Sequence, residues 1–329
     1  MKYPYGGQAL IEGVMMNGRE NSAIAVRKAD GTISVKMEKL NRIGEKYKFL
    51  KWPFIRGSVN LVESMVVGFK ALTHSANESA EYEEEVLEVK DIILSVTLAI
   101  VLGVGLFFVL PVVLAHLLTP LVESSFWQNM IEGLIRVGVF LIYVIAISRM
   151  KEIARVFQYH GAEHKTIHAY EHDKELTPAN CQAFTTLHPR CGTSFLFIVM
   201  IISIIVFSFL GVENFLWRVT SRVILLPVVA GISYEFLKFT GRHIDNKLIK
   251  ALAYPGLMLQ KLTTKQPDEE MLEVAIVALK KVREKEENIP FEPLSSPVEM
   301  WQEKKEEKAE EAQPISEISE NLNEEKESL

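Results

Sequence analysis

YHGAEHKTIHAYEHDKELTPANCQAFTTLHPRC, residues Tyr159–Cys191, is the stretch on which the prediction of the fold depends. It holds both cysteines of the chain and five of its eight histidines. These side chains are His160, His164, His168, His172, His188, Cys181 and Cys191. Long apolar runs lie on either side, so a polar segment rich in metal-ligand side chains is expected between membrane spans. This combination favours a metal site at the face of a membrane protein.

The first part of the stretch, His160–Glu171, is predicted to be an α-helix. At ~100° and ~1.5 Å per residue, His160 and His164 lie one turn apart on one face and can bind the same ion. The string HGAEH also fits the H-x-x-E-H pattern of inverted zincins, in which two histidines hold zinc. In that chemistry Glu163 is the general base that takes a proton from water.

Helix geometry limits the ligand set. His160 and His168 are roughly 12 Å apart along a straight helix and cannot both bind one ion. The histidine pair is therefore either His160 with His164 or His164 with His168. The remaining ligands must come from elsewhere, and the candidates are His188, Cys191, Glu12 and Glu235. The alternative is a solvated helix next to the membrane whose histidines bind nothing.

The composition excludes several other classes of protein. The 329 residues are 48% hydrophobic, with a mean hydropathy of +0.13 and a net charge of −6, and lack the basic excess of nucleic-acid-binding proteins. Two cysteines do not make a disulfide framework, and both are expected to be reduced thiols. The opening MKYPYGGQALIEG has no apolar core of a signal peptide, so membrane insertion is expected to depend on internal spans.

Four apolar segments are predicted to cross the membrane, and the first is longer than the ~20 residues that a span needs. They are Ile92–Leu118, Leu134–Ser148, Phe195–Val212 and Val219–Phe239, with Pro111 and Pro227 interrupting the first and the last. Arg136 is expected to extend to the lipid surface, and Glu235 needs a partner or a site at its depth. Lysine and arginine are concentrated between the second and third spans and after the fourth. This asymmetry places the histidine stretch and both termini in the cytoplasm.

Residues 1–90 are predicted to form an N-terminal cytoplasmic region. It contains a β-hairpin at Asn21–Leu40 with a tight turn at Asp30–Gly31. An amphipathic helix follows at Ser58–Ser75, either at the membrane surface or packed under the histidine stretch. The opening GGQALIEGVMMNG does not fit the dinucleotide motif, and its glycines are expected to allow close approach of the backbone.

The remaining chain is predicted to contain three further regions. Residues 91–240 form the transmembrane bundle, with a histidine-rich cytoplasmic loop at 150–193. Residues 241–287 form a cytoplasmic helical segment that Pro255 interrupts, and residues 288–329 form a disordered charged tail. The fold class is therefore mainly α: a polytopic helical membrane protein with about four transmembrane helices, a small N-terminal β-hairpin and cytoplasmic helices.

Three separated blocks of the chain carry a resemblance to one bacterial family. The blocks are GGQALIEGVMM, YHGAEHKTIHAYE with LHPRCGTSF, and PGLMLQKLTTKQPDEEMLEVAIVAL. Together they resemble the YqhQ-like family of uncharacterised membrane proteins, whose members are labelled as predicted metal-dependent enzymes. The resemblance extends over nearly the whole chain up to about residue 285. It implies a membrane location and a metal site in the central block, and it implies no substrate.

The expected function follows from these observations. The chain is predicted to be an integral membrane protein with a metal site on its cytoplasmic face, and the metal is expected to be zinc. The expected ligands are His160 and His164, completed by His168, His188 or Cys191. With Glu163 as catalytic base, the expected reaction is a hydrolysis.

Two other functions stay open. In the first, the protein is a non-enzymatic scaffold or assembly factor with a structural metal, which a closed set of four ligands favours. In the second, it carries metal ions, but the spans contain few ligands beyond His116 and Glu235. The expected partner is the lipid bilayer, and no nucleic acid is expected.

Overall fold

The computed structural model describes residues 2–80, 89–118, 122–210, 214–244 and 246–301. Five strands form one sheet with the spatial order β1-β2-β3-β4-β5. They are β1 (Gly6–Leu10), β2 (Gly13–Asn17), β3 (Asn21–Arg27), β4 (Ile33–Lys39) and β5 (Val298–Met300), and the first four pair antiparallel in chain order. β3 and β4 are the predicted hairpin, and Gly31 takes a φ of +86 in its turn. The sheet is larger than that hairpin. The prediction missed β1 and β2, because the glycine-rich opening lacks the alternation that predicts strands.

Helices make up most of the described chain, as predicted. They are α1 (Ile43–Lys46), a 3-10 turn (Lys48–Lys51), α2 (Ile55–Glu78), α3 (Val89–Val104), a π-helical turn (Gly105–Val109), α4 (Leu110–Leu118), α5 (Ser125–Ile147), α6 (Lys151–Glu171), α7 (Pro178–Gln182), α8 (Gly192–Ser208), α9 (Phe215–Arg242), α10 (Lys247–Thr263) and α11 (Glu269–Glu287).

Three helical segments among the described residues are long and apolar enough to cross a membrane, by length and composition. They are Ile93–Leu118, Ser125–Ile147 and Leu216–Arg242. The apolar helix α8 is shorter, with 17 residues. These segments make the chain compatible with a membrane protein.

The second of these segments begins earlier than the apolar pattern predicted, at Ser125 and not at Leu134. Its first turns carry polar side chains that are buried against neighbouring helices: Gln128, Asn129 and Glu132. The prediction for Arg136 was also wrong. That side chain is 7% exposed and pairs with Glu132, so it does not extend to the lipid surface.

The prolines expected to interrupt helices do not end them. α9 continues through Pro227 and α10 continues through Pro255. The first apolar segment passes Pro111 after its π-helical turn. Because proline has no N–H, it cannot donate to the carbonyl of Phe107, and Arg136 Nε donates to that oxygen at 3.1 Å.

The largest hydrophobic core lies between the sheet, α6 and α11. One face of the sheet packs on the α11 run Met271–Leu279, which is entirely buried. Asp268 caps this helix by accepting from the N–H of Met271 at 2.8 Å. Tyr159 and Ile167 bring α6 into the same core. The histidine-bearing helix is therefore held by the sheet domain over its whole second half.

The amphipathic helix predicted at Ser58–Ser75 is present as the longer α2. It packs on the second face of the sheet through Ala71 and along α9, where Gly57 lies against Tyr234. The main packing partners of α2 are therefore the sheet and α9.

The tail predicted from residue 288 contributes to the fold in its first part. Residues Met1–Glu299 form one compact unit. Within it, the carbonyl of Pro297 accepts from the N–H of Ile33 at 2.9 Å, and Ser296 bonds to Glu273. The rest of the predicted disordered segment, residues 302–329, lies outside the described residues.

Candidate metal centre

The helix α6 carries most of the candidate ligands and is fixed in place by a close backbone contact. A Cβ at Gly161 would collide with the carbonyl oxygen of Lys265, so glycine allows the segment after α10 to lie directly on α6. The N–H of Lys265 also donates to the carbonyl of Phe157 at 2.8 Å. This contact brings the carbonyl of Thr263 to the first histidine.

The first donor group consists of His160, His164 and Cys191, whose ligand atoms all lie within 4.8 Å of one another. Cys191 Sγ is 3.2 Å from His160 Nε2. His160 Nδ1 donates to Thr263 O at 2.9 Å, and His164 Nδ1 donates to Thr186 O. A carbonyl oxygen can only accept, so both Nδ1 atoms carry a proton, and in the neutral imidazole each Nε2 then keeps a free lone pair. Metal-binding histidines are commonly oriented by such a second hydrogen bond.

The protonation state of His164 suits metal binding. Burial lowers the pKa of His164, which is 2% exposed, and the neutral imidazole is the form that binds a metal ion. Cys191 is buried and is the N-cap of α8, where its Sγ accepts from the N–H of Thr193. The group therefore joins α6 to the first residue of an apolar helix.

The second donor group consists of His168, Glu171 and His188, again within 4.8 Å. In this group the side chains already have hydrogen-bond or ion-pair partners within the protein. His168 Nε2 donates to Leu187 O at 2.9 Å, and His188 Nε2 lies 3.4 Å from Glu171 Oε2. Arg190 forms an ion pair with Glu171. Among the described residues, these two are the groups of three or more histidine, cysteine or acidic side chains close enough to hold an ion.

The carboxylate of Glu171 is firmly ionised in this network. Burial raises its pKa, but the hydrogen bond from His188 and the charge of Arg190 outweigh burial and bring the pKa to about 2. Burial also lowers the pKa of His168 and of His188. The second group is therefore a carboxylate with two neutral imidazoles, held mainly by hydrogen bonds within the protein.

A single glutamine fixes the loop that connects both groups. Gln260 is fully buried, and its Oε1 accepts from the N–H of His188 at 2.8 Å. Its Nε2 donates to His188 O and to Ser194 Oγ, both at 2.8 Å. The loop carries Thr186, Leu187, His188, Arg190 and Cys191, so this clamp sets the position of a ligand and of two carbonyl acceptors.

The predicted base Glu163 belongs to neither donor group. Its carboxylate accepts from the N–H of Gly7, and burial raises its pKa. A Cβ at Gly7 would lie 3.1 Å from Glu163 Cγ, so the predicted close approach of the glycine-rich opening occurs here. Glu163 is thus a buried carboxylate on the edge of the histidine face.

The other predicted residues divide as follows. His160, His164 and Cys191 are brought together, while His168 and His188 lie in the second group. Glu12 pairs with Arg155, and Glu235 pairs with Arg56, so neither joins a donor group. Sequence reasoning missed Glu171 as a group member and the orienting residues Thr186, Gln260 and Thr263. The position of Glu171, one turn after His168, could have indicated the first of these.

Comparison with known proteins places the chain in a family without naming a reaction. A family model described as "Protein of unknown function (DUF1385)" matches residues 52–285. The "Uncharacterized protein YqhQ" of Bacillus subtilis (strain 168) is 37% identical over 286 residues, which cover 83% of this chain and 90% of that protein. No solved structure matches the chain significantly. Neither the description of the family model nor the name of the Bacillus subtilis protein mentions a metal ion. The metal and the activity therefore stay predictions.

Proposed function

This chain belongs to the YqhQ-like family that the DUF1385 model describes, and we propose that it binds a zinc ion through His160, His164 and Cys191. One observation carries the proposal. Both histidines donate their Nδ1–H to backbone carbonyls, which leaves the Nε2 lone pairs on the side of Cys191. Two imidazoles and a thiolate are a donor set that suits zinc.

The proposed activity is hydrolysis. Zinc held by three protein side chains has an open position, where it supplies Lewis-acid activation of a water molecule. Glu163 is the group of this chain that would take the proton released from water and return it to the leaving group. Its burial and its raised pKa suit a carboxyl group that must hold a proton and release it again.

The second donor group has a positioning role in this proposal. His168 and Glu171 hold Leu187, His188 and Arg190, which lie just before Cys191 in the chain. These contacts hold Cys191 beside His160 and His164 without using a metal. The proposed ligand set is therefore smaller than the five residues that the sequence suggested.

The proposed location is the cell membrane, with four spans. α8 is the third span, because its 17 residues are followed by Phe209 and Leu210 and reach roughly 28 Å at 1.5 Å per residue, near the hydrocarbon thickness of ~30 Å. The lysine and arginine distribution puts both termini and the metal centre on the cytoplasmic side. Because α8 begins directly after Cys191, the centre lies at the membrane surface.

A scaffold or assembly factor is the second candidate, and one observation favours it. The proposed ligands connect α6 of the sheet domain to the start of α8, so a metal ion there would tie the two parts together. The clamp by Gln260 already holds the same loop rigidly. In this alternative the metal is structural and Glu163 has no chemical role.

The proposal is tested by the metal content of the purified full-length protein. We expect one zinc ion per chain in the wild type, its loss in His164→Ala, and its retention in His172→Ala. The last variant is the matched control, since it removes the same type of side chain two turns further along, at the exposed C-cap of α6. Stoichiometric zinc in a His160→Ala/His164→Ala double variant would rule out this centre. Loss of zinc in His172→Ala would show that the ligand set is wider.

A further inference from the structure

A second concentration of buried polar groups lies far from the histidines, where α5, α8 and α9 meet. Its charged members are Glu132, Arg136, Arg218 and Arg222, which are 1%, 7%, 3% and 1% exposed. Three guanidinium groups and one carboxylate leave a formal charge of +2. Two of these helices are segments long and apolar enough to cross a membrane. Burying uncompensated charge in such surroundings is strongly unfavourable.

Both oxygens of Glu132 are already used. Oε2 accepts from Arg218 Nε at 2.7 Å, and Oε1 accepts from Arg136 Nη2 at 2.7 Å. Arg222 Nε is 3.5 Å from Oε1, outside a good hydrogen bond. Arg136 is satisfied further by Phe107 O at 3.1 Å. Within the described chain, the carboxylate thus accepts one hydrogen bond at each oxygen and none from the remaining guanidinium donors.

Two of those donors have no hydrogen-bond partner within the described chain. Arg218 Nη2 and Arg222 Nε are shielded from water and make no hydrogen bond within the described chain. The other nitrogens of Arg222 bond to Ser221 Oγ and Asn129 Oδ1, and the ring of Phe207 lies 5.3 Å from its guanidinium carbon. Since Arg218 and Arg222 are one turn apart on α9, their free donors lie on one side of that helix. Within the described part of the chain, no oxygen atom accepts from these two donors.

The neighbouring tryptophans indicate the depth of the cluster in the proposed membrane. Trp217 directly precedes Arg218, and Trp127 lies five residues before Glu132. These rings are 48% and 57% exposed, and exposed tryptophan is typical of the membrane–water interface. Arg218 and Arg222 thus lie about one and two turns inside the start of α9, close to the depth of phospholipid head groups.

We propose that Arg218 and Arg222 bind a phosphate group at this end of the bundle, opposite the end that carries the metal centre. Guanidinium groups bind phosphate oxygens through paired, charge-assisted hydrogen bonds. A phosphate group carries one or two negative charges and so offsets the residual +2. The same chemistry is offered by a phospholipid head group and by free phosphate. The site is independent of the metal centre and goes beyond the proposed hydrolysis.

The test uses the full-length protein, purified in detergent and freed of lipid. Native mass spectrometry follows titration with phosphatidylglycerol, with phosphatidylcholine and, separately, with inorganic phosphate. Saturable binding of one phosphatidylglycerol per chain, without binding of inorganic phosphate, assigns the site to a head group. Saturable binding of inorganic phosphate assigns it to the free anion. If the wild type binds none of the three probes saturably, the proposal is overturned. This outcome can be read from the wild type alone.

Variants then locate the site. Arg218→Gln and Arg222→Gln are each expected to weaken binding at least tenfold, because each removes an unpaired donor and one positive charge. Arg149→Gln is the matched control, since Arg149 is exposed beyond the other end of α5. Should the glutamine variants fail to fold, Arg218→Lys keeps the charge but loses the planar donor pair, and it too must weaken binding. Unchanged binding in a folded Arg218 variant overturns the assignment.

Discussion

At the residue scale, the role of each histidine follows from the partner of its second ring nitrogen. Helix periodicity could place His160 and His164 on one face, and it could identify them as ligands by type. It could not supply the carbonyls that orient them, because Thr186 is 22 residues and Thr263 is 103 residues away in the chain. For the same reason the division of the histidines into two groups was not predictable from their spacing.

Glu163→Gln separates the enzyme from the scaffold at this scale. Glutamine keeps the volume and can still accept from Gly7 N–H, but it cannot hold the proton. We expect a folded variant with full zinc content that fails to complement a deletion strain. Glu152→Gln, which changes an exposed carboxylate on the same helix, is the control and should complement normally. A Glu163→Gln protein that is folded, zinc-loaded and fully functional in cells would favour the scaffold.

At the element scale, α6 and α5 show what a pattern of single residues can and cannot indicate. The helix carrying the histidines was predicted, because its ligand spacing matches the helical turn. The start of α5 was missed, because Gln128, Asn129 and Glu132 look polar and only their buried partners explain them. The predicted first span did run past Pro111, but the sequence could not indicate the donor to Phe107 O, because it comes from another helix.

The variant Gly161→Ala tests whether the contact between α6 and the backbone of Lys265 is needed to order the proposed metal centre. Gly161→Ala introduces a Cβ against Lys265 O, so α6 and the segment with Thr263 must separate. We expect a loss of about 1–3 kcal/mol in the free energy of unfolding and weaker zinc binding. Gly138→Ala, in α5, meets nothing within 4 Å, so it should leave zinc binding unchanged and should not lower the free energy of unfolding. Equal zinc affinity in Gly161→Ala and the wild type would show that the contact is not needed.

At the scale of the whole molecule, the mainly helical fold and the N-terminal β-structure were predictable, but the assembly of the sheet domain was not. β1 and β2 join the predicted hairpin through short turns that the glycine-rich opening did not indicate, and β5 joins it through long-range pairing. α11 covers the resulting face. Hydropathy identifies the apolar helices one at a time. It says nothing of the sheet domain that holds α6 beside the start of α8.

Reporter fusions test the proposed arrangement of the whole chain in the membrane. Fusions after Pro120 and Asn214 are expected to report an external location, and fusions at Glu175 and Pro290 a cytoplasmic one. The reason is the excess of lysine and arginine on the side that carries the histidines. A cytoplasmic signal after Pro120 would contradict the four-span topology, while leaving the metal centre itself untested.

The most direct measurement of the central claim is the absorption spectrum of the protein loaded with Co²⁺ in place of zinc. If Cys191 shares one ion with His160 and His164, the spectrum contains a thiolate-to-cobalt charge-transfer band. The band is expected to disappear in Cys191→Ser and to persist in Cys181→Ser, because burial raises the pKa of Cys181 to about 11 and keeps it a thiol. A cobalt-loaded wild type without this band, or a band that survives Cys191→Ser, would contradict the proposed centre.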